Sequence, residues 1–565
     1  MRDRRPERHA VLDANAVASL LHVTDEREVA AAGATSVRST TRRHPIVVLS
    51  ALVVVIVLAW IVGAPRSSGP DEPGHQVRGG GLVRGQLDGE PFPEFGFQYA
   101  YRLPGHVGFP DPVCFAFNEF APASCANELE PVDGDIPLGT RAADYPVWGH
   151  LPAGLGTLAP AAWSGWAARV TDAAIPVALI VTALWVAGRR GALGVGGGVM
   201  AITPMAWFLF AVVNPSGLVI AGGVGLWTAL TARVRAGPDR VVGLLAACSW
   251  AAMVLPRRDG MVWASLIVAI VVLSSDIDLR DQARRIGRVG AVVIGLSTLA
   301  TLAWASRSDT NAAAALFVAP LTPIVAWAAR RGWGRIGPAR TPIRLAYACG
   351  LAVVGLLAGL VVMTRRDDGF DRAVLELVMG RTGEDLTEAI GLLGWLDTPL
   401  PTTALFGWLV GLGMLAGAAI AAGRWRVVVA AALVVGTGVY ASWVLTMLQN
   451  DETGTYWQGR YYLPLLAGIP IVLASVEVPV AMARRIGLTA VLVGLLVSNA
   501  ALFAMMRRFG VGRSGSLSPW DWDTYESPLP PVIVLAVHLA ASVGLFWWAV
   551  QRVDSGPAVR LPSEG

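Results

Sequence analysis

The sequence lacks lysine altogether and contains few charged residues and only four cysteines. All 45 basic side chains are therefore arginine, and charged residues make up 15% of the chain, against roughly 25% in soluble domains. Ala, Gly, Arg, Val and Pro dominate, so the net charge of +4 is weak evidence for any partner. No basic tract with interleaved aromatic residues occurs, which argues against nucleic-acid binding.

Several functional motifs are also missing. No cysteine spacing matches a zinc site. No glycine-rich phosphate loop follows a strand, which excludes a fused nucleotidase. No inverted repeat is visible either, so the usual sequence sign of a secondary transporter is absent.

The chain consists mainly of apolar sequence. Hydrophobic residues make up 54% of it, and the mean hydropathy is +0.53. Apolar runs of roughly 18–20 residues recur, and each is long enough to cross a bilayer core of ~30 Å. We therefore predict an all-α integral membrane protein with about 14 transmembrane helices, in a range of about 12–14, and large extracytoplasmic loops.

Polarity divides the chain into a disordered cytoplasmic tail, a polytopic membrane domain and a second cytoplasmic tail, at 1–44, 45–550 and 551–565. Arg42 and Arg43 precede the first apolar run, and the positive-inside rule places its start in the cytoplasm. Alternation of the later runs keeps both termini inside and places three large loops outside, at about 65–164, 364–402 and 506–531. The expected location is the bacterial plasma membrane.

The first loop carries two adjacent acids, Asp71 and Glu72, followed by Pro73 and His75. Paired carboxylates at a membrane surface suit general-base work or a divalent metal such as Mg or Mn. Pro73 favours the first turn of a helix, whose positive end stabilises acids. The glycines at 79–81 predict that this helix is short. The alternative is a solvated acidic loop.

Arg257 and Arg258 lie in the short connection Pro256–Asp259, which alternation places outside, against the charge rule. Arginine at membrane depth is costly unless it is paired, and its planar guanidinium suits phosphate recognition. Two other interpretations stay open: a hairpin tip closed by an Arg–Asp pair, and an error in the predicted topology.

Three further segments lie at predicted membrane surfaces. Asn214 begins an Asn-Pro-Ser-Gly stretch that is typical of a turn. Trp395 and Asp397 lie in a stretch of the second loop that is typical of an interfacial or re-entrant segment. Arg460 lies among aromatic residues before a late span, where it either grips a lipid phosphate or extends to phospholipid headgroups.

Four motifs follow one another on the predicted outer side: Asp71-Glu72-Pro73-x-His75, Asn214-Pro215-Ser216-Gly217, Gly394-Trp395-Leu396-Asp397 and Gln458-Gly459-Arg460-Tyr461. In this order they resemble a bacterial family of predicted multispan membrane proteins, domain of unknown function 2142, over roughly residues 45–510. That family is similar to the GT-C glycosyltransferases. Those enzymes use polyprenyl-phosphate sugar donors at the extracytoplasmic face and carry an acidic pair in their first outer loop.

The resemblance implies a GT-C-like membrane glycosyltransferase, which moves a sugar from a polyprenyl-phosphate donor to a glycan or lipid-linked acceptor of the cell envelope. It implies Asp71 and Glu72 as catalytic acids, with Asp71 as the base and the same pair as the place for a metal. The expected substrate-binding residues are His75, Asn214, Arg257, Arg258, Trp395, Asp397, Gln458, Arg460 and Tyr461. Membrane lipid is the expected surrounding partner.

Two other functions remain open. A transporter or flippase of a lipid-linked glycan would require ionisable residues inside the spans, and the predicted spans contain almost none. A non-catalytic scaffold of envelope assembly would not require acids and arginines to converge at one face. Convergence of Asp71, Arg257 and Arg460 on one site is therefore the structural test.

We predict a disulfide between Cys114 and Cys125, which lie eleven residues apart in the first outer loop, where the compartment permits oxidation. Closing so short a loop stabilises the local fold by ~3 kcal/mol in the chain-entropy model. Mass mapping of the unreduced protein measures the bond. Two free thiols in freshly isolated membranes would contradict it.

We also predict that the connection Pro256–Asp259 faces the outside, because its arginines break an otherwise obeyed charge rule. Cysteine introduced by Arg258→Cys should then react with a membrane-impermeant thiol reagent in intact cells. Labelling that occurs only after lysis would show that the span count is wrong between residues 241 and 275.

Overall fold

A computed structural model describes residues 45–92, 98–108, 110–126, 134–232, 239–274, 279–306, 319–336, 371–453, 458–522 and 527–554, with Gly355 and Gly359. The chain divides at Pro45 into two units, and the larger, Ile46–Gly565, holds nearly all of these residues. The tail predicted at 1–44 and residues 555–565 of the second predicted tail lie outside the described residues.

Helices make up most of the described chain. In order they are α1 (Pro45–Gly63), α2 (Glu72–Val83), α3 (Leu151–Gly156), α4 (Ser164–Gly188), α5 (Ala192–Ala201), α6 (Pro204–Leu209), α7 (Pro215–Thr231), α8 (Arg240–Val254), α9 (Gly260–Ser274), α10 (Leu279–Ala305), α11 (Thr322–Arg335), α12 (Arg372–Gly391), α13 (Thr402–Ala421), α14 (Trp425–Thr453), α15 (Leu463–Leu466), α16 (Gly468–Leu473), α17 (Val480–Val511) and α18 (Pro531–Asp554). Five short strands are β1 (Glu90–Pro91), β2 (Tyr99–Pro104), β3 (Asp135–Thr140), β4 (Leu392–Leu393) and β5 (Thr398–Pro399).

Seven of the described helices are long and apolar enough to cross a membrane: α1, α4, α10, α13, α14, α17 and α18. Shorter apolar helices occur at 192–201, 215–231, 240–254, 260–274 and 463–473. The predicted count of 14 spans is therefore not confirmed, and residues 337–370 lie almost wholly outside the described chain. What the structure establishes is a multispan helical architecture.

One predicted span is broken by its own sequence. The apolar run after Gly191 ends as a helix at Ala201, and α6 starts only at Pro204. Thr203 caps the new helix, since its hydroxyl accepts a hydrogen bond from the amide of Ala206. Proline at the first helical position suits such a restart. The break is buried throughout, so α5 and α6 form the interior of the bundle.

The first loop contains a small sheet, and the all-α prediction was wrong there. Strands β1, β2 and β3 form an antiparallel sheet in that order, with Tyr101 opposite Leu138. One face of β2 packs against α2, where Tyr101 and Leu103 form a buried cluster with Val77 and Val107. A compact folded element therefore rests on α2.

Helix α2 continues through the glycines at 79–81, which were expected to weaken a long helix there, and ends at Val83. A Cβ on Gly79 would lie 2.7 Å from the carbonyl oxygen of His150 and 2.9 Å from the amide nitrogen of Gly154. The backbone of α3 therefore touches that of α2, and only glycine permits this approach. Tertiary contact outweighs the low helix propensity and places His150 against α2.

Several connections meet at one end of the bundle, which we call the site end and define by residues 65–72. The amide of Asn214 donates to the carbonyl of Pro70 at 2.9 Å, and the indole of Trp395 donates to that of Ser67 at 2.8 Å. Arg460 reaches Asp71 in the same region. At the opposite end of α4, Arg189 pairs with Asp239. Segments from four distant parts of the chain therefore meet at the site end.

Candidate functional site

Arg460 is the central cation of the site end. It lies in a 3₁₀ turn, Gly459–Tyr461, and its side chain is 2% exposed. Its Nη2 donates to Oδ2 of Asp71 at 2.7 Å and to the hydroxyl of Tyr461 at 3.3 Å. Its Nε and Nη1 are buried without an acceptor in the described part of the chain. Buried donors without acceptors are costly, and such donors suit an anionic ligand.

Arg257 lies beside Arg460, against the same aromatic ring. Its guanidinium stacks on Tyr461 at 4.5 Å from the ring centroid, and Arg460 lies 5.1 Å from that centroid. Asp259 accepts from Nε of Arg257 at 2.9 Å, so the predicted Arg–Asp pair is present. The hydroxyl of Ser216 accepts from its Nη1 at 3.2 Å. Two cations with few other ligands thus face one tyrosine.

Asp71 stands at the start of α2 in a strained backbone conformation. Its φ is +61°, in the left-handed region, and its side chain makes no capping hydrogen bond to the helix. A non-glycine residue held there costs of order 1–3 kcal/mol, and such strain clusters at functional sites. The side chain is 57% exposed, with only Oδ2 engaged by Arg460. The other carboxylate oxygen is therefore available to a substrate.

Glu72 does not share this environment, and its contacts argue against the catalytic role predicted for it. Its carboxylate is fully buried and accepts from Nε and Nη2 of Arg169 at 2.7 and 2.8 Å. The amides of Gly69 and Val213 also donate to it. Four donors fill the lone pairs that a proton or a metal would need. Asp71 and Glu72 thus face different partners and cannot hold a metal ion jointly.

No group of three or more His, Cys, Asp or Glu side chains that could hold a metal ion occurs among the described residues.

Arg169, the partner of Glu72, also donates to the carbonyls of Ile61, Ala64 and Pro65. It therefore satisfies the C-terminal end of α1 while it neutralises Glu72.

His75 belongs to a buried pair of histidines. His150 Nδ1 donates to the carbonyl of Pro146 at 3.2 Å, and His75 Nδ1 donates to His150 Nε2 at 2.9 Å. Burial, followed by the charges of Arg460 and Arg257, lowers the pKa of His75 to about 3. Burial also lowers the pKa of His150, with His75 as the next cause. Both rings are therefore neutral, and each ring's Nδ1 carries the proton.

Tyr145 connects the histidines to the cations. Its ring meets His75 edge to face at 5.3 Å between centroids, and Arg257 lies 5.6 Å from its centroid. Burial raises the pKa of the Tyr145 hydroxyl to about 12, although Arg257 opposes this shift. The hydroxyl therefore stays protonated and can donate a hydrogen bond at neutral pH.

Asn214 supports the site from below and does not face it. Its Oδ1 accepts from the amide of Ser216, which makes it the N-cap of α7, and its Nδ2 holds Pro70. The segment is thus a turn that starts a helix, and the engaged amide argues against the predicted substrate contact of Asn214. Nη2 of Arg258 donates to the carbonyl of Asp144, and its predicted substrate contact stays a prediction.

Gln458 and Gly459 are held by α12. The amide of Gly459 donates to Glu388 at 2.8 Å, and a Cβ at Gly459 would lie 2.1 Å from the carbonyl oxygen of Asp385. Burial, with the charge of Glu388 next, raises the pKa of Asp385 to about 7. The side-chain oxygen of Gln458 is buried without a donor in the described chain. It is a second polar atom whose hydrogen bonding a ligand could complete.

Trp395 and Asp397 lie in a second cluster at the site end. Asp397 pairs with Arg508 at 2.6 Å and accepts from Thr398, so it does not join the Asp71 group. Burial raises the pKa of Asp397 in spite of Arg508. Arg508 also donates to the carbonyls of Phe115, Asn118 and Ala121. That segment lies between Cys114 and Cys125, which form a disulfide in the structure.

Several site residues were missed because no local pattern marks them. Tyr145 and His150 come from a loop that shows no periodicity. Arg169 lies inside α4, which begins at Ser164 and is long and apolar enough to cross a membrane. The predicted first loop ends at about residue 164, so Arg169 is an ionisable residue inside the following span, and such residues are a strong sign of a site.

The fold and the site together define a multispan helical membrane protein whose polar centre lies at one end of the bundle. The chain belongs to the family of predicted membrane proteins called DUF2142, whose family model matches residues 140–370 and 386–469. The resemblance inferred from the motifs is thereby confirmed, over a shorter part of the chain than 45–510. Asp71, Glu72 and His75 lie outside the matched residues.

No curated protein matches the sequence. Among solved structures, the chain is similar to the archaeal oligosaccharyltransferase AglB from Archaeoglobus fulgidus, solved with an inhibitory peptide and a dolichol-phosphate. The two are 14% identical, with a TM-score of 0.40, and the match covers 89% of this chain and 56% of that one. This chain thus spans little more than half of that protein's length. Nothing about activity follows from a likeness this weak.

We predict that Glu72→Gln or Arg169→Gln strongly destabilises the protein. Each leaves a buried charge without its partner, which costs roughly 3–5 kcal/mol. The expected result is a large drop in the midpoint of thermal unfolding in detergent. Arg102→Gln is the matched control, because its pair with Glu90 has side chains 62% and 71% exposed. A Glu72→Gln protein as stable as the control would contradict the structural role.

Proposed function

We propose that the protein is a GT-C-like membrane glycosyltransferase that moves a sugar from a polyprenyl-phosphate donor to a cell-envelope acceptor on the extracytoplasmic side. The observation that carries this proposal is the buried guanidinium of Arg460, which touches an exposed carboxylate and keeps two nitrogens without acceptors. An acid beside an unsatisfied cation suits a reaction in which a proton leaves a nucleophile and a phosphate departs.

In the proposed reaction, Asp71 takes the proton of an acceptor hydroxyl on the carboxylate oxygen that Arg460 leaves free. The hydroxyl oxygen forms a bond to the anomeric carbon while the bond from that carbon to the phosphate oxygen breaks. The phosphate keeps the electron pair, and Arg460 and Arg257 neutralise its charge. Arg460 can donate to a phosphate oxygen from Nε or from Nη1 without releasing Asp71 from Nη2. The proton on Asp71 then passes to water.

The remaining residues have positioning roles in this proposal. Glu72, Arg169 and Asn214 hold the turn that presents Asp71. Tyr461 orients both arginines by stacking, and Asp259 orients Arg257. Tyr145 is a donor to the acceptor or the departing phosphate. No metal is needed to balance the charges, because two cations face one phosphate.

One observation favours the second candidate, a flippase or transporter of a lipid-linked glycan. The sequence had suggested that the spans contain almost no ionisable residues, but the described spans do contain some. His538 lies in α18, where its Nδ1 contacts Oδ1 of Asn499 at 2.9 Å, and Nδ2 of Asn499 donates to Ser542. A polar network between α17 and α18 is the kind of feature that marks a transport pathway.

We predict that Asp71→Asn abolishes transfer without loss of folding. A general base contributes ~10²–10⁴ in rate, so turnover should fall by at least that factor. Thermal stability should fall less than in Glu72→Gln, because the Asp71 side chain is half exposed and the amide oxygen of asparagine can still accept from Nη2 of Arg460. The assay uses membranes that contain the protein and a panel of polyprenyl-phosphate sugars.

Asp88→Asn is the matched control, since Asp88 is an exposed acid of the same loop. Wild-type transfer by Asp71→Asn would remove Asp71 from the chemistry. Movement of intact lipid-linked glycan across proteoliposomes, lost on His538→Ala and without any transfer, would establish the flippase instead.

A further inference from the structure

A cavity of about 210 Å³ opens at the site end between α13 and α17. It is lined by Asp397, Thr402, Ala504, Arg507, Arg508 and Arg513, together with the prolines that lead into α13. These residues are separate from the group around Asp71 and Arg460. Three arginines line this space, and among the described residues Arg508 pairs with Asp397 and Arg513 with Glu119.

Some nitrogen donors of these arginines have no acceptor among the described residues. Arg507 donates to the carbonyls of Gly515 and Ser516 through Nε and Nη2, and its Nη1 has no acceptor among the described residues. Nε of Arg508, whose side chain is 2% exposed, is buried without an acceptor in the same part of the chain. Helix α13 also begins at the cavity with no side-chain cap. Helix N-termini with free amides attract anions.

Apolar surface continues from the cavity along both helices. On α13, Thr402, Phe406 and Val410 follow one another at helical spacing, and the last two are 61% and 60% exposed. On α17, exposed Leu496 lies two turns before Ala504. Trp520, in the segment that accepts from Arg507, is also exposed and suits a membrane interface. A polar cavity above two apolar stripes fits a headgroup with its chain attached.

We infer that the cavity is a second anion site, which takes the phosphate of a membrane lipid with its hydrocarbon chain along α13 and α17. Arg507 and the amides at the start of α13 bind the phosphate, and Arg508 contributes Nε. A planar guanidinium matches phosphate oxygens better than it matches other lipid groups. This inference does not depend on the proposed transfer reaction.

The test is a titration of the purified full-length protein in detergent, followed by native mass spectrometry. The probes are phosphatidylglycerol and a short-chain polyprenyl phosphate, with phosphatidylcholine and uncharged polyprenol as comparisons. Arg507→Gln should weaken binding of phosphatidylglycerol about tenfold or more, because it removes a charge-assisted hydrogen bond, and should remove one of the two sites for the polyprenyl phosphate. Ala504→Leu should do the same by filling the cavity without a change in charge.

Arg102→Gln is the control and should bind both phosphate lipids with wild-type affinity, because Arg102 is exposed and distant in sequence from both sites. Arg460→Gln distinguishes the two sites and should affect the polyprenyl phosphate but not phosphatidylglycerol. Equal binding by all variants would mean unspecific lipid contact and would overturn the inference. Loss of all binding in Arg460→Gln alone would place the phosphate at the Asp71 group, which refutes a second site but not the proposed reaction. Inorganic phosphate that stabilises the protein as well as the lipids, with loss in Arg507→Gln, would identify a free-phosphate site and refute the lipid.

Discussion

A single buried ion pair, Arg169 with Glu72, organises the site end of the bundle. Arg169 satisfies carbonyls at the end of α1, while Glu72 satisfies amides before α2 and at Val213. Helix ends leave such groups without partners, and a bilayer offers no water to replace them. Burying two charges costs free energy, but the pair also forms hydrogen bonds with backbone groups that would otherwise have no partner, and this offsets the cost. This pair thus joins the end of α1, the start of α2 and the first part of α4 at the surface where Asp71 lies.

The same constraint separates two adjacent acids into different tasks. Glu72 turns inwards as the counterion of Arg169, and Asp71 is forced into a left-handed backbone conformation with its carboxylate outwards. Pro70 before it is held by Asn214, and Ser67, which also has a positive φ of 64°, is held by Trp395. These bonds from distant segments offset the strain in the turn. A strained acid beside a buried arginine is thus a consequence of how three helix ends are joined.

Arginine has two distinct roles in this protein. Arg169 is saturated by backbone carbonyls and one acid. Arg508 donates to the same kinds of group through Nη1 and Nη2, and only its Nε lacks an acceptor among the described residues, so both side chains mainly hold segments together. Arg460 and Arg257 are held mainly by aromatic stacking and one acid each, so more of their donors remain available. Stacking fixes a guanidinium without consuming its hydrogen bonds, which is the arrangement that anion recognition requires. A chain without lysine must use arginine for both purposes, and only the partners distinguish them.

Sequence alone determined that the chain is a multispan helical membrane protein, because long apolar runs have few alternatives to spanning helices. It also placed Asp71, Arg257, Arg460 and Tyr461 at one surface, since alternation of spans follows from charge and length. It could not separate Asp71 from Glu72, because their partners Arg460 and Arg169 lie 389 and 97 residues away. It misread the glycines at 79–81 for a related reason: propensity is local, whereas the contact with α3 that they permit is not. Only the tertiary structure decided which polar side chains form hydrogen bonds within the protein and which keep donors or acceptors for a ligand. The reason is that the partners of each side chain come from every segment that meets at that place.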